Sequence, residues 1–182
     1  MKPFHSAAAL LATAIGFGVC FFMLQRVIGA NSPWLGLLLM FFFMGLAKIA
    51  QPLFMLGLPR ILIQVRAWET TGPAYGRLGV YAFGRTLRNT PLRYCNTSVY
   101  LPGRRRDLAS LYRQAASAEA IHFWAMILFT PYIVFVALQG QIRVVAIFLL
   151  IQLLLNVYPI LHLRTLRGRL DQLFSRATRE TA

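Results

Sequence analysis

Residues 118–170, AEAIHFWAMILFTPYIVFVALQGQIRVVAIFLLIQLLLNVYPILHLRTLRGRL, decide the fold. This stretch contains two long apolar runs separated by the short polar break Gln139-Gly140-Gln141. About 20 apolar residues are enough for a helix to cross the hydrocarbon core of a bilayer. The pattern therefore predicts a hairpin of two transmembrane helices, over about residues 119–138 and 143–163.

The composition of the whole chain supports a membrane location. Hydrophobic residues make up 58% of the chain and charged residues only 13%, with a formal net charge of +14. Soluble domains carry about 25% charged residues. A basic excess between apolar runs indicates loops held beside anionic lipid headgroups. A nucleic-acid partner is excluded because the arginines do not cluster on a polar domain, and Cys20 and Cys95 have neither disulfide nor metal-ligand spacing.

Two further spans precede the hairpin, over about residues 6–28 and 34–56. A cleaved signal peptide is the alternative for the first, but its apolar run exceeds the usual length of about 7–15 residues and no small-residue cleavage site follows. Pro52 and Pro59 interrupt the second apolar region and predict a shallower interfacial piece after the span. Lys48 has two interpretations: a functional intramembrane charge, or a side chain that extends to the lipid headgroups. The second interpretation is favoured.

The central segment, residues 66–117, is strongly basic. Over residues 74–88, apolar side chains fall on one face of a helix and arginines on the opposite face. This pattern predicts an amphipathic helix in the membrane interface that ends at Asn89-Thr90-Pro91. Because arginines concentrate here and in the C-terminal tail, both termini and this segment are expected in the cytoplasm. The overall expectation is an all-α integral membrane protein: one domain over residues 1–182, with four transmembrane helices and a cytoplasmic interfacial amphipathic helix.

One candidate site lies at the start of the third span. Glu119 and His122 fall on one helical face, one turn apart. A carboxylate can orient an imidazole, and histidine is the usual general base near neutral pH. A structural polar pair at the helix entrance is the alternative, and the spacing does not decide between the two.

The end of the fourth span supplies the opposite side of this site. Gln152, Asn156 and Pro159 share a face, and Pro159 leaves a carbonyl near Leu155 without its helical donor. Asn156 either bonds this carbonyl, which is a structural role, or binds a carbonyl or hydroxyl of a ligand. Three arginines follow that either anchor the helix or bind phosphate: Arg164, Arg167 and Arg169.

His122 and Asn156 lie at nearly equal sequence distances from Gly140, so antiparallel helices place them at depths that differ by about 3 Å. We therefore expect Glu119, His122 and Asn156 around one cavity, with Arg164 at its mouth and residues 74–88 covering it.

Three motifs resemble one family. Residues 66–87, RAWETTGPAYGRLGVYAFGRTL, are similar to the R-x-W-E-x-x-G-x-x-Y-x-x-L-G-V-x-x-F segment of small bacterial membrane acyltransferases. These are the glycosyl-4,4'-diaponeurosporenoate acyltransferases of the staphyloxanthin-type carotenoid pathway. AEAIHFW resembles their A-E-x-x-H-W segment, and NVYPILHLRTLRGRL resembles their ending. The resemblance covers roughly residues 60–172, with departures at Gly84, Leu163, Thr165, Leu166 and Gly168.

The resemblance implies transfer of a fatty acyl group to a sugar hydroxyl of a glycosylated lipid or carotenoid. It implies His122 as the base, with Glu119 orienting it, and no bound cofactor. The donor is expected to be acyl-CoA or an acyl carrier protein, and the location a bacterial cytoplasmic (inner) membrane. Expected substrate-binding residues are Trp68, Glu69, Asn156, Tyr158, Arg164, Arg167 and Arg169. The alternative is a non-catalytic lipid-binding or assembly subunit, in which Glu119 and His122 make packing or lipid contacts.

Overall fold

Helices dominate the part of the chain that the structure, a computed structural model, describes. The described residues are 3–30, 32–66, 68–69, 73–91, 94 and 108–180, so Cys95 lies outside them. They contain no strand. The helices are α1 Pro3–Ile28, α2 Pro33–Phe54, α3 Arg60–Ile63, α4 Pro73–Arg77, α5 Val80–Asn89, α6 Leu108–Leu138, α7 Ile142–Gln152 and α8 Tyr158–Glu180, with a π-helical turn, Leu153–Val157, between the last two.

Four stretches are long and apolar enough to cross a membrane, which confirms the predicted number. They are Ala7–Ile28, Pro33–Phe54, Leu108–Leu138 and Ile142–Ser175. The last two contain 31 and 34 residues. At 1.5 Å per residue they are about 47 and 51 Å long, whereas a hydrocarbon core is about 30 Å thick. Both helices extend beyond the predicted spans 119–138 and 143–163, because they continue through polar sequence outside the apolar runs.

The first of two compact units comprises Met1–Gly57 and Ala120–Val157. Its core is formed by α2, α6 and α7, through Leu39, Met40, Phe129, Ile133, Val136 and Phe148. Gly36 allows α2 to approach α7 closely, since a Cβ there would lie 2.2 Å from the Phe148 ring. On α1 most large apolar side chains are exposed, which suits a lipid-facing surface.

The π-helical turn Leu153–Val157 interrupts the fourth spanning helix. Pro159 has no N–H and cannot donate to the carbonyl of Leu155, so the regular α-helical ladder is broken at this point. Such wide turns are frequent at functional sites. Here the turn carries Asn156, whose side chain is fully buried.

The second unit comprises Leu58–Glu119 and Tyr158–Ala182. The amphipathic helix predicted over residues 74–88 is two helices, α4 and α5. Gly79 separates them with φ +72°, in the left-handed region that favours glycine. The predicted end is confirmed, since α5 stops at Asn89. On α5 the side of Val80 and Gly84 is buried.

Close contact between α5 and α8 occurs at Gly84. A Cβ at this position would lie 2.4 Å from Nδ1 of His162. We expect Gly84→Ala to destabilise the protein by about 1–3 kcal/mol, because the imidazole ring has to move to admit the methyl group. Thermal unfolding of the purified protein measures the effect, and His162→Ala in the same chain should restore part of the loss. A Gly84→Ala protein that unfolds at the parental temperature contradicts this packing.

Candidate functional site

A chain of oriented hydrogen bonds in the first unit ends at His122. The Nδ1 atom of this half-buried histidine lies 3.4 Å from Oδ1 of Asn156. Asn156 Nδ2 donates to Gln152 Oε1 at 2.8 Å and to the sulfur of Met40 at 2.9 Å. Gln152 Nε2 in turn donates to the backbone carbonyl of Met126 at 3.0 Å. The two residues placed at similar depth by counting from the turn are therefore in contact.

The direction of these bonds favours one imidazole tautomer. A carbonyl can only accept, so the Met126 carbonyl requires the amide nitrogen of Gln152 to face it. Gln152 then presents its oxygen to Asn156, and Asn156 presents its oxygen to His122. A neutral imidazole carries one N–H, which must lie on Nδ1 to complete this chain. In this tautomer Nε2 keeps its lone pair and is the atom able to accept a proton.

In the second unit, four buried charged side chains alternate in sign. We call the series Glu69–Arg164–Glu119–Arg167 the ion-pair ladder. Arg164 bonds Glu69 through Nε at 2.8 Å and Nη2 at 2.9 Å, and Glu119 through Nη1 at 3.0 Å. Arg167 Nη1 bonds the other oxygen of Glu119 at 2.5 Å. The four side chains sum to zero formal charge, which makes their burial tolerable.

The guanidinium group of Arg164 is completely satisfied within the protein. Besides the two carboxylates, it donates to the carbonyls of Leu62 at 2.8 Å and Gln64 at 3.1 Å. These contacts account for all five N–H groups of an arginine. The phosphate contact expected for Arg164 from the sequence has no donor left in this arrangement. We infer that Arg164 positions the neighbouring segments instead.

Arg167 also donates a hydrogen bond to the backbone segment that Arg164 contacts. Its Nη2 donates to the Ile63 carbonyl and to the Tyr112 hydroxyl, the latter at 3.2 Å. Its guanidinium carbon also lies 5.2 Å from the Tyr112 ring centroid. The carbonyls of three consecutive residues, 62–64, are thus held by two arginines of α8. Both oxygens of Glu119 accept hydrogen bonds from these arginines.

Glu69 of the ladder and the neighbouring Tyr75 have shifted pKa values. Burial alone would raise the pKa of Glu69, but the hydrogen bonds from Arg164 and from the Arg66 backbone outweigh it and hold the pKa below its ordinary value. Burial, with the adjacent Glu69 charge, raises the pKa of Tyr75 to about 12. Glu69 is therefore ionised and Tyr75 neutral at physiological pH.

The shift of Glu69 predicts loss of stability in acid. A carboxyl whose folded pKa is depressed stabilises the fold above its unfolded pKa of about 4.5, and this contribution is lost as the pH falls below that value. We expect the unfolding temperature to drop between about pH 6 and pH 3, and to drop less in Glu69→Gln, which is less stable near neutrality. Equal pH slopes for the two proteins would rule out a role for Glu69 in acid sensitivity.

The remaining expected substrate contacts lie in the second unit. Trp68 is half exposed and its ring centroid lies 6.0 Å from that of Tyr75. The Tyr158 hydroxyl donates to the Leu78 carbonyl at 2.9 Å. Arg169 is exposed, with its guanidinium 5.5 Å from the Tyr81 ring centroid. A pocket joining Glu119 to His122 and Asn156 involves both units and stays a prediction.

Sequence reasoning did not assign roles to Gln152, Met40, Tyr75 or Tyr112. Gln152 shares a helical face with Asn156, and Tyr75 stands at the tyrosine of the first motif; these were their only signals. Met40 and Tyr112 look like ordinary core residues in a sequence. Among the described residues, no group of three His, Cys, Asp or Glu side chains is placed to hold a metal ion.

Comparison with known proteins identifies a family for this chain. A family model described as glycosyl-4,4'-diaponeurosporenoate acyltransferase matches residues 59–176, which is more than half of the chain. The matched region includes the whole ion-pair ladder together with His122 and Asn156. The match confirms the resemblance seen in the three motifs. No curated protein and no solved structure matches the chain.

Proposed function

This chain belongs to the glycosyl-4,4'-diaponeurosporenoate acyltransferase family. From that premise we propose that it transfers a fatty acyl group from an activated donor to a sugar hydroxyl of a glycosylated lipid or carotenoid. The four spanning helices support a lipid acceptor, because such a molecule is reached from within or beside the bilayer. Lipid extracts compared by mass spectrometry, with and without the gene, test the reaction: the acylated glycolipid should disappear.

The hydrogen-bond chain that ends at His122 carries the proposal. Nε2 accepts the proton of the sugar hydroxyl while its oxygen attacks the acyl carbonyl of a thioester donor. The new C–O bond forms, the C–S bond breaks and the thiolate leaves with the transferred proton. A half-buried imidazole held by Asn156 in the Nδ1–H tautomer is suited to this task, since its lone pair on Nε2 needs no reorganisation before the reaction.

Asn156 serves as a positioning residue in this mechanism. Its amide hydrogens are committed to Gln152 and Met40, so it supports the base. It does not take the substrate-binding role expected from the sequence. Its own orientation is set through Gln152 by the Met126 carbonyl, which can accept a hydrogen bond but cannot donate one.

Substitution of Asn156 should separate positioning from structure. We expect Asn156→Leu to lower kcat about tenfold or more with little change in KM, because the Nδ1–H loses its acceptor and the ring loses its fixed tautomer. Asn156→Asp keeps an acceptor, and its carboxylate stabilises the imidazolium, so it should retain more activity and move the acidic limb of the pH–rate profile upward. An unchanged profile in Asn156→Asp, with parental kcat in Asn156→Leu, contradicts the role.

The donor is proposed to be acyl-CoA or an acyl carrier protein, and no bound cofactor is needed for the chemistry. We place the protein in the bacterial cytoplasmic membrane with both termini in the cytoplasm and α4–α5 in the interface. The arginine excess of the central and C-terminal segments supports this orientation. A C-terminal tag digested by protease only in inverted vesicles is the expected result, and digestion from the periplasmic side contradicts it.

A non-catalytic lipid-binding or assembly subunit is the second candidate. The observation in its favour is Glu119, which is fully buried and used entirely in ion pairs, as in a structural element. In such a protein His122 and Asn156 would also serve packing. Loss of product without loss of protein on changing His122 discriminates between the two candidates.

A further inference from the structure

The backbone around the end of α3 has its hydrogen-bond partners inside the second unit. Arginines of α8 donate to the carbonyls of Leu62, Ile63 and Gln64. The backbone N–H of Arg66 donates to the buried carboxylate of Glu69 at 2.6 Å. A loop in water does not need such partners, because water can satisfy its polar groups. Backbone that approaches hydrocarbon does need them, since no water is available there.

The side chains of this backbone are largely exposed and apolar. We call residues 60–66 the α3 segment. In it Ile61 is 78% exposed and Ile63 is 48% exposed. Trp68, 53% exposed, belongs to the same surface, because Glu69 beside it bonds the guanidinium group that also holds two carbonyls of the α3 segment. Large apolar side chains grouped on a surface mark an interaction site with a protein or a membrane.

The charges of this surface indicate which partner it fits. Arg60 and Arg66 are exposed at the two ends of the α3 segment. Residues 58–66, LPRILIQVR, contain no acidic residue, and the next one, Glu69, is buried in the ion-pair ladder. Exposed isoleucine and tryptophan side chains flanked by arginines suit the boundary between acyl chains and anionic headgroups.

The position of the α3 segment in the chain agrees with a place at the bilayer surface. The spanning helix α2 ends at Phe54, six positions before Arg60, and six residues extend at most about 22 Å. The amphipathic helix expected there from the sequence is less suited to lipid. The side of α5 that carries Gly84 packs against α8, so acyl chains cannot reach it.

We propose that the α3 segment docks the second unit on the bilayer, with Ile61, Ile63 and Trp68 inserted among the lipids and Arg60 and Arg66 on anionic headgroups. The ion-pair ladder is then the rigid support of this docking surface. Tryptophan suits such a boundary, since its ring is apolar and its N–H is polar. The surface does not depend on the proposed acyl transfer, because its depth in the bilayer is measured without substrates.

Spin labels on the full-length protein measure this depth. In a Cys20→Ser/Cys95→Ser parent, the label is attached to Ile61→Cys or Ile63→Cys, in vesicles of phosphatidylethanolamine with phosphatidylglycerol. Power saturation compares collisions with oxygen, which concentrates in lipid, and with a nickel chelate, which stays in water. We expect a several-fold higher ratio of oxygen to nickel collisions at both positions than at the control Ser175→Cys, an exposed residue near the end of α8.

A ratio at Ile61 and Ile63 equal to that at Ser175 overturns the proposal. Protection from both reagents also overturns it, because a protein partner or a second copy of the chain then covers the surface. Adding Arg60→Gln/Arg66→Gln to Ile61→Cys should increase nickel collisions in these vesicles but not in phosphatidylcholine alone, since only anionic headgroups attract the arginines. No increase in the anionic vesicles contradicts the headgroup contacts.

Tryptophan fluorescence provides a second measurement if a cysteine variant unfolds at a lower temperature than the parent. In Trp34→Phe/Trp124→Phe, Trp68 is the remaining indole. Brominated lipids should quench its fluorescence, whereas acrylamide in the water should quench it several-fold less than it quenches free tryptophan. Efficient quenching by acrylamide with none by brominated lipids overturns the docking surface.

Discussion

Replacing His122 with alanine should remove about 10²–10⁴-fold of the acyl-transfer rate while leaving the amount of protein in the membrane unchanged. The first expectation follows from the loss of the only proposed proton acceptor. The second follows from the site itself: the ring is half-buried, and Asn156 keeps its bonds to Gln152 and Met40 when the imidazole is gone. Mass spectrometry of the product and immunoblotting of membranes measure the two quantities.

His5→Ala is the matched control, since His5 is an exposed histidine on α1. It should leave both product and protein at the parental level. A His122→Ala protein that keeps making product contradicts the proposed base. A fall of product in proportion to protein supports the assembly-subunit alternative instead, because a structural residue acts through the amount of folded protein.

Replacing Arg164 with methionine should destabilise the protein by about 3–5 kcal/mol, which is a large part of the stability of most domains. The substitution leaves the carboxylates of Glu69 and Glu119 buried without one of their cations. It also removes the donors to the Leu62 and Gln64 carbonyls. We expect little protein in the membrane and a lower unfolding temperature for what remains. Arg164→Lys should recover only part of the loss, because one ammonium cannot reproduce five N–H contacts.

A double substitution that restores charge balance tests whether uncompensated carboxylates cause the loss of stability in Arg164→Met. Glu69→Leu/Arg164→Leu removes one anion with one cation and should be more stable than Arg164→Met, since Glu119 still has Arg167. Arg113→Met, at an exposed position on α6, is the control for losing a positive charge and should change little. If Arg164→Met proves as stable as Arg113→Met, the ladder does not hold the unit together.

The apolar runs were sufficient to predict four spans, but not where the helices end. Hydropathy marks the membrane-buried portion only, and α6 and α8 continue through polar sequence beyond the apolar runs. The contact between His122 and Asn156 was predictable because a short turn fixes the register of two straight helices. The break of the amphipathic segment at Gly79 was not, since the residues on both sides follow a single helical period.

The partners of the motif residues were beyond sequence reasoning. The motifs assign Glu69 and Arg164 to substrate binding and Glu119 to orienting His122, and in the structure both carboxylates bond Arg164. Glu69 and Arg164 are 95 positions apart, and Glu119 and Arg164 are 45 apart. Helical spacing identifies which residues share a face, but it does not identify which distant charge compensates a buried one. The hydrogen bonds that run from His122 through Asn156 and Gln152 to the Met126 carbonyl could not be predicted either, because uncharged amides are not distinguished from other polar residues in a sequence.

The ion-pair ladder also has a consequence for biosynthesis. A ribosome releases Glu69 and Glu119 well before Arg164, because synthesis proceeds from the N-terminus at about 5–20 residues per second. During that interval the backbone at residues 62–64 and both carboxylates have no guanidinium partner from α8. The nascent second unit is therefore incomplete until its last helix is made. In a chain that stops before Tyr158, the carboxylates of Glu69 and Glu119 stay without these arginines, and the unfolded unit is a substrate for the proteases that degrade unfinished membrane proteins. Completion of translation is thus the step that commits this unit to its folded state.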